Sequence, residues 1–259
     1  MHLLPFSIAP PALKGMGVLV TALQVVIIST SFNKESGEGT QTPYSKFATK
    51  QSLSLKVSSR IGMLLIYVPS AVYSMYELIS PMVNIDNQRH FILTACLFAH
   101  FAKRIFETLF IHKYSGHTSG SVAAFIGIYY AILTWIVINF QNQSIISPDV
   151  YIPGLVIFLI GEIGNAYHHI LLSRLRRGSG ENIYVSPTGG LFKFVATPHY
   201  FFELVAWYGI ALIAQQGNAL LVAMSMTSYL VGRSVATNKW NKINIPGYED
   251  RKNIIPCLF

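Results

Sequence analysis

Seven stretches of roughly 20 residues, each long enough to cross a hydrocarbon core of about 30 Å, dominate this 259-residue chain. They lie near Pro11–Phe32, Ile61–Ser80, His90–Ile111, Gly120–Phe140, Tyr151–Leu172, His199–Gln215 and Gly217–Ala236. Within lipid a backbone must satisfy its own polar groups, and a helix does so inside one segment. The pattern therefore predicts an all-α, polytopic membrane bundle of about seven transmembrane helices. The sixth stretch is short and turns tightly into the seventh, which leaves six spans open. Charged residues make up 12% of the chain, half the share of an ordinary soluble domain, so a single membrane domain is expected, without a second soluble one.

Basic residues give an independent test of this layout. With alternate connections assigned to opposite faces of the bilayer, fourteen Lys and Arg fall on one side, in residues 32–60, 112–119, 173–198 and the tail, against Arg89 on the other. The positive-inside rule places that side, and with it the C-terminus, in the cytosol. The first stretch, with Lys14 before its apolar run, reads as a retained signal-anchor. The net charge of +8 suits anionic headgroups. Nucleic acid is not expected as a partner, because no soluble basic face with interleaved aromatics exists. Two cysteines, Cys96 and Cys257, make no disulfide framework. The stretch 33–59 reads as a partly flexible loop, and glycines in 177–198 let that backbone approach a ligand closely.

Polar side chains crowd the junction of the fifth and sixth stretches: Asn165, His168, His169, Arg174, Arg176, Arg177, Tyr184, His199, Tyr200 and Glu203. Ionisable groups at membrane depth mark functional sites, and cations there suit an anionic ligand such as a phosphorylated cofactor. Glu203 and Arg233, on different apolar stretches and without an obvious partner, point to the same site. Lys103 and Arg104 can each pair with Glu107 along one helix. No two of the eight histidines stand at the i,i+3 or i,i+4 spacing that would share a helix face, so no metal is expected.

The stretch GNAYHHILLSRLR…YVSPTGGLFKFVATPHYFFE, from Gly164 to Glu203, resembles the C-terminal domain of the steroid 5α-reductase family, as does the ending RKNIIPCLF. AHFAKRIFETLFIHKYSG is similar to the corresponding span of very-long-chain enoyl-CoA reductases, and TPYSKFA and RIGMLLIYVPS match N-terminal pieces. The resemblance implies an endoplasmic-reticulum, multi-pass enzyme that uses NADPH to reduce a carbon–carbon double bond conjugated to a carbonyl in a sterol or related lipid. It implies N-terminal helices, residues 1–150, that form the lipid pocket, and an NADPH-binding region over 151–259. The family's cofactor-binding positions fall on Asn165, Arg176, Tyr184, His199, Glu203 and Arg233.

This chain departs from the family at the carbonyl-polarising pair, where Tyr67 replaces a Glu and Phe101 replaces a Tyr. A phenol, with an ordinary pKa of about 10, stays protonated at neutral pH. Tyr67 is therefore the first catalytic candidate and Lys103 the second. Two alternatives stay open: a trans-2-enoyl-CoA reductase of fatty-acid elongation, and a non-catalytic lipid-binding protein that has lost the family's acid.

Overall fold

The computed structural model describes residues 8–47, 55–80, 88–114, 116–140, 149–175, 185–256 and 258. Seven helices follow the seven apolar stretches: α1 (Met16–Ser36), α2 (Ser59–Ile79), α3 (Gln88–Phe106), α4 (Gly120–Asn139), α5 (Tyr151–Leu175), α6 (Pro198–Ala214) and α7 (Gly217–Asn244). Five of them, α1, α2, α4, α5 and α7, are long and apolar enough to cross a membrane. Of the other two, α6 has 17 residues and α3 carries Lys103 and Arg104 in its last turn. The sixth and seventh stretches are separate helices. Gln215, with φ 46 and ψ 40, takes the left-handed conformation that ends α6, and the Gln216 side chain accepts from Ala219 N to start α7.

α7 runs eight residues past the apolar stretch that ended at Ala236. Hydropathy reports where lipid contact ends, and a helix can continue beyond it. Asn238 and Asn241 in those last turns are buried; Asn238 Nδ2 donates to Arg251 O at 2.8 Å. The tail is thereby pinned beside the approach to α6, where Val195 bridges Lys252 and Ala196 N donates to Lys252 O at 2.8 Å.

Within the 33–59 segment the described residues, 33–47 and 55–59, carry more regular structure than composition implied. A 3₁₀ turn spans Ser45–Phe47, and β1 (Lys56–Ser58) pairs antiparallel with β2 (His117–Ser119). The ribbon sets two helices at once. Ser58 caps α2 by accepting from Ile61 N, and Ser119 caps α4 by accepting from Val122 N. These hydroxyls satisfy amides that the first turn leaves unpaired.

The most extensive contacts are between α5 and α6, followed by α1 with α7 and by α2 with α4 and α3. Close approach of α5 and α6 requires glycine. A Cβ on Gly161 would stand 2.3 Å from Ala206 N, and one on Gly209 2.4 Å from Phe158 N. Such small-residue contacts are how helices pack where lipid removes the hydrophobic drive between them. The close contact fixes α5 against α6, and both carry site residues.

Candidate functional site

The chain of α3 changes its winding just where it carries the most charge. Glu107–Ile111 continue it as a π-turn, closed by His112 N donating to Glu107 O at 2.7 Å. Insertions of this kind inside helices are frequent at functional sites because they re-aim the side chains around them. Here the turn brings Glu107 beside both Arg104 and α5. Arg104 Nη1 donates to Glu107 Oε2 at 2.7 Å, and His169 Nδ1 lies 2.9 Å from the same oxygen. Arg104 Nη2 donates to the Tyr67 hydroxyl at 2.7 Å. All four residues are buried.

Tyr67 and Arg104 line a cavity of about 300 Å³ with His199, Glu203, Tyr130 and Arg233. A second hollow of about 260 Å³ shares Lys46, His112, Tyr114, Leu172, His199, Tyr200 and Thr237 with it. The two hollows thus share a wall, and the second is also lined by Val185, Pro187 and Asn241. Together they fall within the size of small-molecule and cofactor sites.

Of the eight residues expected from sequence, Tyr67, His199, Glu203 and Arg233 share this cavity. Arg176 and Tyr184 lie outside the described residues. Asn165 stands behind the wall: its Nδ2 donates to His199 O at 2.8 Å and to Glu203 Oε2 at 3.4 Å, while its Oδ1 accepts from Lys103 Nζ at 2.6 Å. Lys103 also meets Glu162 at 2.9 Å and is not among the lining residues. Asn165 and Lys103 are therefore not among the residues that line the cavity, and both contact groups behind it.

The expectation that Arg233 and Glu203 lack other partners needs correcting for both, since Glu203 Oε2 accepts from Asn165 Nδ2, and most of all for Arg233. Its Nη1 donates to Glu35 Oε2 at 3.0 Å and to Thr42 O at 2.8 Å, and Nη2 donates to Tyr44 O at 3.0 Å. The guanidinium stacks on Tyr44 and Phe47, 4.1 and 4.4 Å from their ring centroids. Glu35 sits in the last turn of α1, far from Arg233 in sequence, and no helical spacing announces the pair.

Several lining residues were not reached from sequence. Tyr130 of α4 stands 6.2 Å from Tyr67, ring centroid to centroid, and its hydroxyl has no hydrogen-bond partner among the described residues. Lys46 joins the two hollows, donates to Asn241 Oδ1 at 2.9 Å and faces the Trp240 ring at 4.7 Å. Burial, then the charge of Arg233, pulls its ammonium down to about 7. TPYSKFA gave a signal for Lys46; nothing in sequence marks Tyr130.

Glu107, His112 and His169 also bring three potential metal-ligand atoms within 4.8 Å of one another. They come from different elements, so spacing along one helix could not reveal them. The Arg104 guanidinium, 2.8 Å from His169 Nδ1, already supplies a cation to the same atoms.

A family model described as 3-oxo-5-alpha-steroid 4-dehydrogenase matches residues 106–259, more than half of the chain. The chain belongs to the 3-oxo-5-alpha-steroid 4-dehydrogenase family. The match covers α4 to α7 and the π-turn with Glu107. Among its relatives, a very-long-chain enoyl-CoA reductase of Dictyostelium discoideum is 31% identical over 73% of this chain and 66% of that protein. A rat 3-oxo-5-alpha-steroid 4-dehydrogenase 1 is 25% identical over 84% of this chain and 86% of its own length. A tomato steroid 5-alpha-reductase is 34% identical over 41% of each. The chain therefore spans about two thirds of the Dictyostelium protein, and the family's members act as oxidoreductases on carbon–carbon double bonds.

Can these residues hold a dinucleotide? His199 Nδ1 is buried at the junction of the two hollows without a hydrogen-bond partner among the described residues, which suits a polar ligand there. Aromatic walls and Lys46 suit a flat ring and a phosphate. The residues present fit such a group.

Proposed function

We propose that this protein is an NADPH-dependent reductase of a double bond conjugated to a carbonyl in a sterol or related lipid. It works as a multi-pass enzyme of the endoplasmic-reticulum membrane with its C-terminus in the cytosol. The observation that carries the reading is Tyr67: its hydroxyl lies in the cavity wall and accepts a hydrogen bond from a buried guanidinium.

A bound NADPH would supply the hydride for the β-carbon. His199 and Glu203 would hold the cofactor, with Arg176 and Tyr184 from the segment outside the described residues, and Arg233 would order the Thr42–Tyr44 chain beside it. Asn165 contributes by fixing His199 and Glu203. Tyr67 donates to the carbonyl oxygen as negative charge builds there, which is where a preorganised donor lowers the barrier most. A proton from solvent completes the reduction at the α-carbon. Tyr67, Arg104, Glu203 and Arg233 in this wall are buried, and the lower local dielectric strengthens each of these interactions. Lys103 acts from behind through Glu162 and Asn165.

A second reading, reduction of a trans-2-enoyl-CoA, is favoured by the Dictyostelium relative and by Lys46 and Lys113 at the outer hollow, which suit a phosphorylated carrier. Purified protein incubated with NADPH and either a 3-oxo-Δ4 steroid or a trans-2-enoyl-CoA separates the two. Product from the steroid alone supports the first and from the thioester alone the second. NADPH left unconsumed with both overturns the enzyme reading.

A further inference from the structure

Tyr67 is half of a unit whose other half lies 37 positions away in sequence. A phenol in a buried wall is a poor acid, because losing its proton leaves an anion out of water. Something has to stabilise that anion where it forms. Arg104 is placed to do so. Its Nη2 donates to Tyr67 Oη at 2.7 Å, and its guanidinium carbon lies 4.9 Å from the centroid of the Tyr67 ring.

The guanidinium is itself fixed from the other side. Glu107 Oε2 accepts from Nη1 at 2.7 Å, and His169 Nδ1 lies 2.8 Å from the same nitrogen. The π-turn sets Glu107 and α5 sets His169, so two elements aim one fork. Arg104 Nε has no hydrogen-bond partner among the described residues. A buried group left partly unsatisfied for stability alone is costly, whereas a guanidinium held through Nη1 and aimed through Nη2 at one phenol is what an acid requires.

We propose, on the reading of Tyr67 as donor to the substrate carbonyl, that Arg104 is the positioning residue that makes Tyr67 an acid, with Glu107 and His169 holding its guanidinium in place. As charge develops on the carbonyl oxygen, the Tyr67 O–H bond breaks and its proton passes to that oxygen. The phenolate left behind keeps its hydrogen bond from Arg104 Nη2, now between full charges, and takes the proton back from the enol oxygen as the α-carbon receives one from solvent, which restores the carbonyl. Arg104 touches Tyr67 and need not touch substrate. Lys103, one residue earlier, has no such part, because its ammonium is directed to Glu162 and Asn165.

The test reads the phenol directly. Tyr67 is replaced by 3,5-difluorotyrosine, and fluorine NMR follows its ionisation in the full-length protein in nanodiscs. Arg104→Met should raise the ionisation midpoint by at least about one pH unit, and Lys103→Met should leave it in place. An unchanged midpoint in Arg104→Met overturns the proposal. Because Arg104→Met leaves the Glu107 carboxylate buried without its main partner, the double variant Arg104→Met, Glu107→Gln is measured beside it and is expected to show the same rise.

Turnover with NADPH then separates this proposal from the reading beneath it. A wild type inactive on enones and enoyl-CoAs sinks the enzymatic reading, whereas the phenol titration decides the Arg104–Tyr67 coupling on its own. In an active wild type, Arg104→Met should lower kcat about 100-fold or more, enlarge the solvent deuterium isotope effect and leave NADPH affinity within threefold. Lost NADPH affinity with the Tyr67 midpoint unmoved would make Arg104 a cofactor ligand and overturn the proposal.

Discussion

Two buried arginines face the same cavity, each paired with a glutamate and each against an aromatic ring, and they spend their hydrogen bonds differently. Arg233 gives its donors to Glu35 and to the backbone carbonyls of Thr42 and Tyr44. Those carbonyls belong to the loop that roofs the cavity, so this guanidinium orders chain. Arg104 gives its donors to side chains, Glu107 and the Tyr67 hydroxyl, so it conditions a reactive group. Residue type and burial are nearly the same on both sides; the atoms at the end of the fork set the role.

The largest expected effect comes from breaking the reactive side. Tyr67→Phe keeps the ring and removes the hydroxyl, and kcat/KM for the enone should fall roughly 10²–10⁴-fold, the range of a lost general acid. NADPH binding, measured by fluorescence titration, should stay near wild type. A variant that keeps full activity would remove Tyr67 from the chemistry.

Breaking the structural side should register as stability. Arg233→Met strands the Glu35 carboxylate, and loss of one partner from a buried pair costs about 3 kcal/mol or more. Thermal unfolding in detergent should show it, and Arg233→Met combined with Glu35→Gln should recover much of the loss. If the double variant is as unstable as the single, the unpaired carboxylate is not the cause.

How far sequence reached differs between the two sides in the same way. The helices were legible because lipid allows few backbone solutions, and boundaries erred where helix and apolar stretch part company, as at Asn244. The Arg104–Glu107 pair was legible because three-residue spacing fixes it on one face. Tyr67 with Arg104, and Glu35 with Arg233, were not, since pairs across helices leave no period. The π-turn at Glu107 changes side-chain direction without a proline or glycine to signal it. Family resemblance pointed to Tyr67 and Glu203, and packing then separated Asn165 and Lys103 from the cavity surface.

Phe101, where the family resemblance leads one to expect a tyrosine, sharpens the comparison. It is fully buried, its ring 5.7 Å from Tyr130 and 6.4 Å from Trp207, and it is not among the lining residues. A hydroxyl added at this place meets no opening. Phe101→Tyr should therefore lower stability by about 1–3 kcal/mol, the cost of an unsatisfied buried polar group, without raising turnover. A gain in steroid reduction would show that position 101 still reaches the substrate.

The smallest effect is electrostatic and lies where the two hollows meet. Lys46, outside the membrane spans, has its pKa lowered to about 7 by burial and then by Arg233. The charged form is thus the minority above pH 7, and a bound phosphate favours that form. With the midpoint at about 7, cofactor binding should draw in about 0.9 proton at pH 8 and about 0.1 at pH 6. Affinity should accordingly weaken as pH rises through and above 7, by at most about tenfold per unit. Calorimetric titration of NADPH in two buffers of different ionisation enthalpy reads the uptake. Lys46→Met should abolish it and flatten the affinity profile; proton uptake that persists in this variant would assign the titration to another group and place the phosphate elsewhere in the channel.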